Sequence, residues 1–224
     1  FSATMPTEIG RLASELLQDP SRVEVAPVAT TAERVAQRAL HVEQNGKRDL
    51  LAKLLRGEGV DRVLVFARTK HGADRVVKQL AQDGLSANAI HGNKSQGQRE
   101  RALAEFKTGR APILVATDIA ARGIDVDGVT HVVQYDLPEV PESYVHRIGR
   151  TARAGASGEA VALVSPEDAD KLRAVERLIR QSIPAEDARQ DKSRPLSAAP
   201  QGGNGGRAGQ RGGRSSSGGG VEVG

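Results

Sequence analysis

The chain has 224 residues, 38% of them hydrophobic, with 32 Lys and Arg against 28 Asp and Glu. It has no cysteine, which excludes disulfides, thiolate catalysis and zinc–thiolate sites, and it has no run of about 18 apolar residues that would span a membrane. Residues 189–224 hold 6 of the basic and 2 of the acidic residues, so the formal net charge of +4 lies in this segment. The composition therefore predicts a cytoplasmic globular domain followed by a basic tail.

The order of the predicted elements indicates an α/β fold. Strands are predicted at 22–25, 39–42, 62–67, 86–91, 112–117, 130–136 and 159–164, and helices at 47–55, 71–84, 95–109, 142–148 and 167–182. Ser95 is a typical N-cap, and Gly84 and Gly109 are typical helix ends. Strands that alternate with helices favour right-handed crossovers and an open, mostly parallel sheet flanked by helices. Such a sheet binds ligands beyond the carboxyl ends of its strands.

Three polar clusters directly follow predicted strands: ARTK (67–70), HGNKSQGQR (91–99) and TDIAARGID (117–125). Each offers hydroxyls, basic side chains or backbone N–H groups at a helix start, which suit phosphate oxygens. The alternative is that Thr69, Ser95 and Asp118 are ordinary helix caps and that the basic residues are solvated. Because all three clusters are expected at one edge of the sheet, together they favour a phosphate-binding site.

A fourth cluster, HRIGRTARAG (146–155), has three arginines and a histidine with no acidic residue among them. Like charges at this density repel, so we expect an anion nearby. Gly149 and Gly155 disfavour a continuous helix and favour a turn on which two guanidinium groups converge on one anion. The alternative is that Arg150 and Arg153 pair with carboxylates of their own domain.

Taken in order, these segments resemble the motifs of DEAD-box RNA helicases. SAT (2–4), VLVFARTK (63–70), HGNKSQGQRERALAEFK (91–107), ATDIAARGID (116–125), VVQYDLP (132–138) and HRIGRTAR (146–153) look like motifs III and IV, the glutamine–arginine motif, and motifs V and VI. RTKHGAD, HGNKSQ and Ala152, where many members carry glycine, are most similar to the bacterial RhlE-like branch. The resemblance covers about residues 1–183 and implies a RecA-like C-terminal helicase domain.

The resemblance also implies roles for individual residues at a nucleotide site. Arg150 and Arg153 would act as arginine fingers on the γ-phosphate of ATP, and His146 would couple the nucleotide site to the facing domain. Gly123 and Asp125 would bind ATP, with Asp125 accepting a hydrogen bond from the ribose.

For the RNA, the resemblance implies contacts with the sugar–phosphate backbone, which carry no base information. The residues concerned are Thr69, Gly92, Arg99, Thr117 and Arg122. Three more residues would couple the two domains: Ser2, Thr4 and Gln96, with Gln96 linking to 146–153.

The sequence contains neither a GxxxxGK[ST] phosphate loop nor a DEAD motif for Mg²⁺, and EDAD (167–170) is predicted to open a helix. We therefore expect ATP and Mg²⁺ to be held mainly by a missing N-terminal RecA-like domain. We expect no metal ligands in this chain and no ATPase activity from the isolated fragment. The predicted parts are the end of the N-terminal domain and a linker (1–34), the C-terminal RecA-like domain (35–183) and a disordered Gly/Arg-rich tail (184–224).

The predicted function is that of the C-terminal half of an ATP-dependent RNA helicase. One alternative is a noncatalytic RNA-binding module. Another is half of a DNA helicase, which contacts to ribose 2′-hydroxyls would distinguish. The expected partners are RNA and the missing domain, with ribosome-assembly or RNA-decay proteins as further candidates and no membrane.

Overall fold

The computed structural model describes residues 7–21, 35–121, 124, 126–153 and 157–189. The predicted strand 22–25, the segment 190–224 and five predicted site residues lie outside these ranges, namely Ser2, Thr4, Arg122, Gly123 and Asp125. Across the described ranges, none of the helices combines the length and hydropathy needed to cross a membrane.

The helices and strands of the described ranges alternate along the chain. In order they are α1 (Thr7–Leu16), β1 (Ala36–His41), α2 (Lys47–Leu54), β2 (Arg62–Phe66), α3 (Lys70–Gln82), β3 (Ala87–Ile90), α4 (Gln96–Lys107), β4 (Ile113–Ala116), α5 (Asp118–Ala121), β5 (Val129–Gln134), α6 (Pro141–Ile148), β6 (Glu159–Val164), α7 (Ala169–Ile179) and β7 (Ala185–Asp187). The seven strands form one sheet in the order β3-β4-β2-β5-β6-β1-β7. Every pair of neighbours is parallel, which confirms the prediction of a parallel sheet flanked by helices.

The core lies on both faces of this sheet because alternate strand residues point to opposite sides. Val63 and Val65 of β2 pack with α2 and α3 on one face. Leu64 and Phe66 pack with α4 and α5 on the other. The helices α6 and α7 cover β1 and β6 on that second face. Burial on both sides explains why RVLVFA reads as an almost continuous apolar run.

The helix ends of α4 follow from local sequence, as predicted. Ser95 Oγ accepts a hydrogen bond from Gln98 N (3.3 Å), and Gln98 Oε1 accepts one from Ser95 N (3.0 Å), forming a capping box. Gly109 follows the helix with a φ of 74°, a left-handed conformation that glycine adopts without strain.

The strand β7 was not predicted. The sequence predicts a tail from residue 184, whereas residues 185–187 pair with Ala39, Leu40 and His41 of β1. The segment AED is polar and short, so its strand conformation comes from pairing with β1 rather than from its own composition. Arg189 is buried beside it and forms a salt bridge to Asp187 (2.8 Å). The sheet domain therefore includes residues through Arg189.

Candidate functional site

The polar clusters that follow β2, β3 and β4 lie together at the carboxyl edge of the sheet, as predicted. Thr69 is the N-cap of α3, and its Oγ1 accepts a hydrogen bond from Gly72 N (3.0 Å). Lys70 Nζ donates to Asn93 Oδ1 (3.1 Å), which joins the first cluster to the second. Thr69 and Ser95 are thus helix caps in this structure.

The loop after β3 is fastened to α3 by Asp74. His91 Nε2 and Lys94 Nζ each lie 3.0 Å from Asp74 Oδ1. Burial alone would raise the pKa of Asp74, but the close contacts of its carboxylate with His91 and Lys94 outweigh it and hold the pKa below its ordinary value. The position of Gly92 between these two residues is therefore set by the contacts of His91 and Lys94 with one carboxylate. An ideal Cβ on Gly92 would meet no atom within 4 Å.

The third cluster is built around Thr117. Its amide donates to Ile90 O (3.3 Å), and its carbonyl accepts from the amides of Ala120 (3.0 Å) and Ala121 (2.9 Å). Arg99 Nη2 donates to Ala120 O (3.4 Å), so α4 and α5 are tied together.

Gln96, which was predicted to link to 146–153, donates instead to Glu100 Oε1 (2.8 Å) of its own helix. The predicted link therefore remains a prediction.

The helix α6 ends where the sequence predicted a break. Gly149 is its C-cap, and a turn follows. In that turn Arg150 Nη1 donates to Ile124 O (3.2 Å), and Arg153 Nε donates to Gly149 O (3.1 Å). Both of these partners are backbone carbonyls, and both arginines also make further interactions.

For the remaining arginine of this cluster, Arg147, the anion that the sequence predicts nearby is a carboxylate of the same domain. Arg147 is 2% exposed, and its guanidinium forms two bonds with the Asp118 carboxylate: Nε to Oδ1 (2.6 Å) and Nη2 to Oδ2 (2.8 Å). Its Nη1 donates to Gln134 Oε1 and to Asp136 O, both at 2.7 Å. Arg147 therefore faces a carboxylate of its own domain.

The burial of Arg147 could have been predicted from the spacing of the apolar residues in α6, although the cluster of positive charge suggested an exposed arginine. Tyr144, Val145 and Ile148 are all buried in α6. Because residues three or four apart share a helix face, Arg147 falls on the same side as Tyr144. An arginine on the buried face of a helix requires an internal counter-ion.

A second buried ion pair involves EDAD. Lys47 is fully buried, and its Nζ contacts Asp168 Oδ2 (3.0 Å) and Tyr135 O (3.1 Å). EDAD does open a helix, since a short 3₁₀ turn at Pro166–Asp168 leads into α7, but Asp168 is also the counter-ion of Lys47. Lys47 Nζ is also 3.9 Å from Asp136 Oδ1, and Asp136 Oδ2 accepts a hydrogen bond from Arg68 N (2.9 Å). This network supports the loop that carries Thr69.

A cleft of ≈ 230 Å³ opens at the same edge of the sheet. It is lined by Phe66, Asp118, Ala121, Ser143, His146, Arg147 and Arg150. His146 Nε2 is buried and has no hydrogen-bond partner among the described residues. The structure thus brings His146 and Arg150 together beside α5. Among the described ranges no group of His, Asp and Glu side chains has the geometry of a metal site.

Comparison with known proteins places this arrangement in a family. Residues 46–155 match the helicase conserved C-terminal domain. The E. coli DEAD-box protein SrmB, solved bound to regulator of ribonuclease activity A, has a TM-score of 0.65 and 37% identity over 68% of this chain and 90% of the SrmB chain. This chain belongs to the DEAD-box family.

Two other DEAD-box proteins show how much of the chain is shared. The DEAD-box ATP-dependent RNA helicase CshA of Bacillus licheniformis is 43% identical over 183 residues, which are 82% of this chain and 38% of CshA. S. cerevisiae Dbp5 bound to RNA and ADP BeF3 has a TM-score of 0.73 and 28% identity, and the match covers 85% of this chain and 51% of Dbp5. The likeness confirms the predicted RecA-like fold.

The DEAD-box chain spans less than half the length of CshA. It corresponds to the C-terminal helicase domain of the family. The name CshA does not identify the RhlE-like branch, so membership of that branch stays a prediction.

Proposed function

We propose that this chain is the C-terminal half of a cytoplasmic ATP-dependent RNA helicase, which separates RNA strands when two RecA-like domains close on ATP, Mg²⁺ and RNA. The observation that carries the proposal is the cleft at the carboxyl edge of the sheet. In this cleft Arg150 and His146 lie next to the helix that begins directly after Thr117, and His146 Nε2 has no hydrogen-bond partner within the described part of the chain.

The residues at the cleft suit a polyphosphate. Arg150 offers a permanently charged, planar donor set, and His146 offers a ring nitrogen that no described residue hydrogen-bonds, both of which suit phosphate oxygens. When bound, ATP supplies the phosphoryl group that is transferred to water. In the proposal Arg150 and Arg153 stabilise the charge that develops on that group, an effect worth about 10³ to 10⁵ in rate. Gly123 and Asp125 complete the ATP site.

RNA is bound along the neighbouring strand ends. The proposed contacts are Thr69, Gly92, Arg99, Thr117 and Arg122. The four of these that the structure describes lie on the loops and helix starts after β2, β3 and β4. Hydroxyls, backbone N–H groups and arginines at such positions recognise phosphate and sugar rather than bases. Binding that does not depend on sequence follows from this set.

The first 34 residues are proposed to belong to the N-terminal domain and linker, with Ser2 and Thr4 coupling the domains together with Gln96. The helix α1 supports this proposal. Its apolar residues Ile9, Leu12 and Leu16 are 49%, 49% and 71% exposed. They recur at the spacing of one helix face, as expected of a helix that packs against a further domain.

The relatives support the choice of nucleotide, RNA and partner class. CshA is named an ATP-dependent RNA helicase, and Dbp5 was solved with RNA and ADP BeF3. SrmB was solved with a regulator of ribonuclease activity, which supports an RNA-decay protein as a partner; a ribosome-assembly protein is the other proposed class. The RhlE-like branch remains part of the proposal, carried by RTKHGAD, HGNKSQ and Ala152.

Arg150→Lys and Arg153→Lys test the proposal in the full-length protein. Lysine keeps the charge but loses the planar fork, and a finger acts mainly on charge that appears in the transition state. We expect each change to lower kcat for RNA-stimulated ATP hydrolysis by about 10²-fold or more, with RNA affinity in the absence of nucleotide within about twofold of the original protein. The matched control is Arg101→Lys, an 82% exposed arginine paired with Glu105.

The alternative, in which both arginines only support their own domain, predicts a lower Tm with unchanged kcat per folded molecule. That result would contradict the proposal that Arg150 and Arg153 act as arginine fingers. Turnover, RNA affinity and Tm are therefore measured on the same three variants.

A noncatalytic RNA-binding role is the second candidate for the isolated 224-residue chain, because its sequence contains no phosphate loop. In that role the chain binds RNA and does not hydrolyse ATP. A DNA oligonucleotide of the same sequence distinguishes the DNA-helicase alternative, since contacts to 2′-hydroxyls make RNA the tighter ligand.

A further inference from the structure

We propose that a groove beside the carboxyl-terminal half of α7 is a docking site for an acidic segment of a partner protein. The groove has a volume of ≈ 580 Å³ and shares no lining residue with the cleft at the carboxyl edge of the sheet. Its lining residues are Arg173, Glu176, Arg177, Arg180, Gln181 and Ser182. The site goes beyond the proposed helicase function, because none of these residues belongs to the proposed ATP or RNA contacts.

The groove carries positive charge that the domain does not neutralise. Arg173, Arg177 and Arg180 are all exposed. Arg173 pairs with Asp170, whereas no carboxylate in the described part of the chain pairs with Arg177 or Arg180. The Nε of Arg177 donates to Arg173 O (3.3 Å), which leaves its terminal nitrogens for other acceptors. Two permanently charged guanidinium groups can therefore bind the carboxylates of a partner.

The wall of the groove is a turn that the protein holds in place by itself. Glu176 is the carboxylate among the six lining residues, and its Oε1 accepts a hydrogen bond from Ile183 N (2.9 Å). The amide of Gln181 donates to Glu176 O (3.2 Å) and closes the last turn of α7. The turn is thus formed before any partner binds, which reduces the entropic cost of docking.

Arg180 has a backbone conformation that favours glycine. It is the C-cap of α7, with φ 55° and ψ 33°, in the left-handed region. Many helices end on a residue in this conformation, and glycine is usual there because it has no Cβ. Since glycine would end α7 with less strain, helix termination does not explain an arginine at this position. Residues that keep such strain are often found at ligand sites.

The position of the groove favours a protein over RNA. The helix α7 follows the carboxyl end of β6 and runs back along the parallel sheet, so Arg180 lies toward the amino edge. The proposed RNA contacts lie at the carboxyl edge, after β2, β3 and β4, toward the other end of the strand order. The side chains of Gln181 and Ser182 also offer acceptors for peptide N–H groups, which phosphate groups do not have.

A dye placed in the groove gives a direct test. The chain has no cysteine, so Ser182→Cys provides a single thiol for an environment-sensitive dye. The labelled 224-residue chain is titrated with a glutamate peptide of about ten residues, which spans about 15 Å as a helix and more when extended. We expect a saturable change in fluorescence with this peptide and none with a glutamine peptide of equal length.

A second labelling position separates the groove from the basic segment 190–224. Ala104→Cys places the same dye on the exposed face of α4, at the other end of the strand order. Binding of the glutamate peptide to 190–224 would not make the signal at 182 depend on the groove arginines. We expect the dye at 104 to show no response.

Variants in the chain labelled at 182 identify the residues that bind. For Arg177→Gln/Arg180→Gly we expect the Kd of the glutamate peptide to rise about fivefold or more, because each lost ion pair is worth up to about fivefold. The matched control is Arg101→Gln, which removes an 82% exposed arginine of α4 and should leave the Kd within about twofold.

Arg180→Gly alone separates docking from a structural role. The arginines could instead only complement the partial negative charge at the carboxyl end of α7. Because glycine relieves the strain while removing the guanidinium, docking predicts a Kd raised about twofold or more with a Tm equal to or above the original. A lower Tm with an unchanged Kd would assign Arg180 to the helix end and overturn the inference.

Two further results would also overturn it. One is a groove dye that does not respond to the glutamate peptide, or a Kd for the double variant equal to that of Arg101→Gln. The other is tighter binding at the groove dye by a uridine oligonucleotide of about ten nucleotides, weakened by the same double variant, which would make the groove an RNA site. None of these results depends on ATP hydrolysis, so the proposed helicase function is tested separately.

Discussion

Lys47 shows what a single buried charge requires. Its ammonium is fully buried and contacts the Asp168 carboxylate (3.0 Å) and the Tyr135 carbonyl (3.1 Å). Burial alone would raise the pKa of Asp168, but the charge of Lys47 and hydrogen bonds from Ser165 and Lys47 outweigh it, so the pKa lies below its ordinary value of 3.8. The folded protein therefore favours the ionised carboxylate.

The stability that Asp168 contributes should depend on pH. A carboxyl group with a lowered pKa in the folded state stabilises the fold above its unfolded pKa, and this contribution is lost as the pH falls through the folded value. We expect Asp168→Asn to cost about 3 kcal/mol at neutral pH, because it leaves a buried ammonium without its main partner. The difference in Tm from the original protein should shrink below about pH 4.

Melting curves between neutral pH and about pH 3 check this expectation. The control is Asp170→Asn, which removes an 81% exposed partner of Arg173 and should change Tm little at any pH. A Tm difference for Asp168→Asn that stays constant across the range would show that shape rather than charge is responsible.

At the scale of elements, the turn after α6 holds a residue under strain. Ala152 has a φ of 54°, a left-handed conformation that costs a non-glycine residue about 1–2 kcal/mol. The turn is also closely packed, because an ideal Cβ on Gly158 would lie 2.7 Å from Ala152 N. Thr151 Oγ1 anchors the turn by donating to Val129 O (2.5 Å). The strained alanine lies between Arg150 and Arg153.

Ala152→Gly should therefore stabilise the protein. Glycine adopts positive φ without strain, and this gain of about 1–2 kcal/mol exceeds the about 0.4–1 kcal/mol lost through a more flexible unfolded chain. We expect a net gain of roughly 0.5–1 kcal/mol in the free energy of unfolding, measured by urea denaturation. The control is Ala104→Gly in the exposed face of α4, where the same change should cost about 1 kcal/mol. A loss at both positions would contradict the assigned strain.

At the scale of the whole molecule, the basic C-terminal segment is attached at the edge that carries the site. The strand β7 runs parallel to β1, and Asp187 pairs with His41 at the carboxyl end of β1. Residues 190–224 contain five Lys and Arg against two Asp and Glu. The segment therefore starts on the side of the sheet that carries the proposed RNA contacts, but at the opposite end of the strand order from β3 and β4. An RNA tether from this position has to reach across the sheet, and a deletion distinguishes it from a spacer.

Deleting residues 190–224 should weaken RNA binding and reduce its salt dependence. Each phosphate contact that is lost should lower the slope of log K against log salt by about 0.7 on single-stranded RNA. The cut is placed at 190 because β7 and Arg189 belong to the sheet domain. The control deletion removes 215–224, which contains no Lys or Arg. Equal slopes for the two deletions would identify the segment as a spacer.

Much of the architecture could be predicted from the sequence because its causes are local. The apolar run RVLVFA forms β2, the Ser95 cap starts α4, and Gly149 ends α6. Periodicity, caps and glycines act within one or two turns of chain, so the pattern of residues is sufficient to predict them. The meeting of three polar clusters at one edge followed from the rule for parallel sheets.

The tertiary structure decided which charges meet. Arg147 belongs to a cluster that reads as surplus positive charge, yet it is bound to Asp118, 29 residues away. Lys47 and Asp168 are 121 residues apart, and β7 forms only because β1 offers an edge. These contacts depend on the strand order β3-β4-β2-β5-β6-β1-β7, which brings distant segments side by side. A local pattern specifies a residue's own turn or strand, whereas its partner across the sheet is set only when the chain packs.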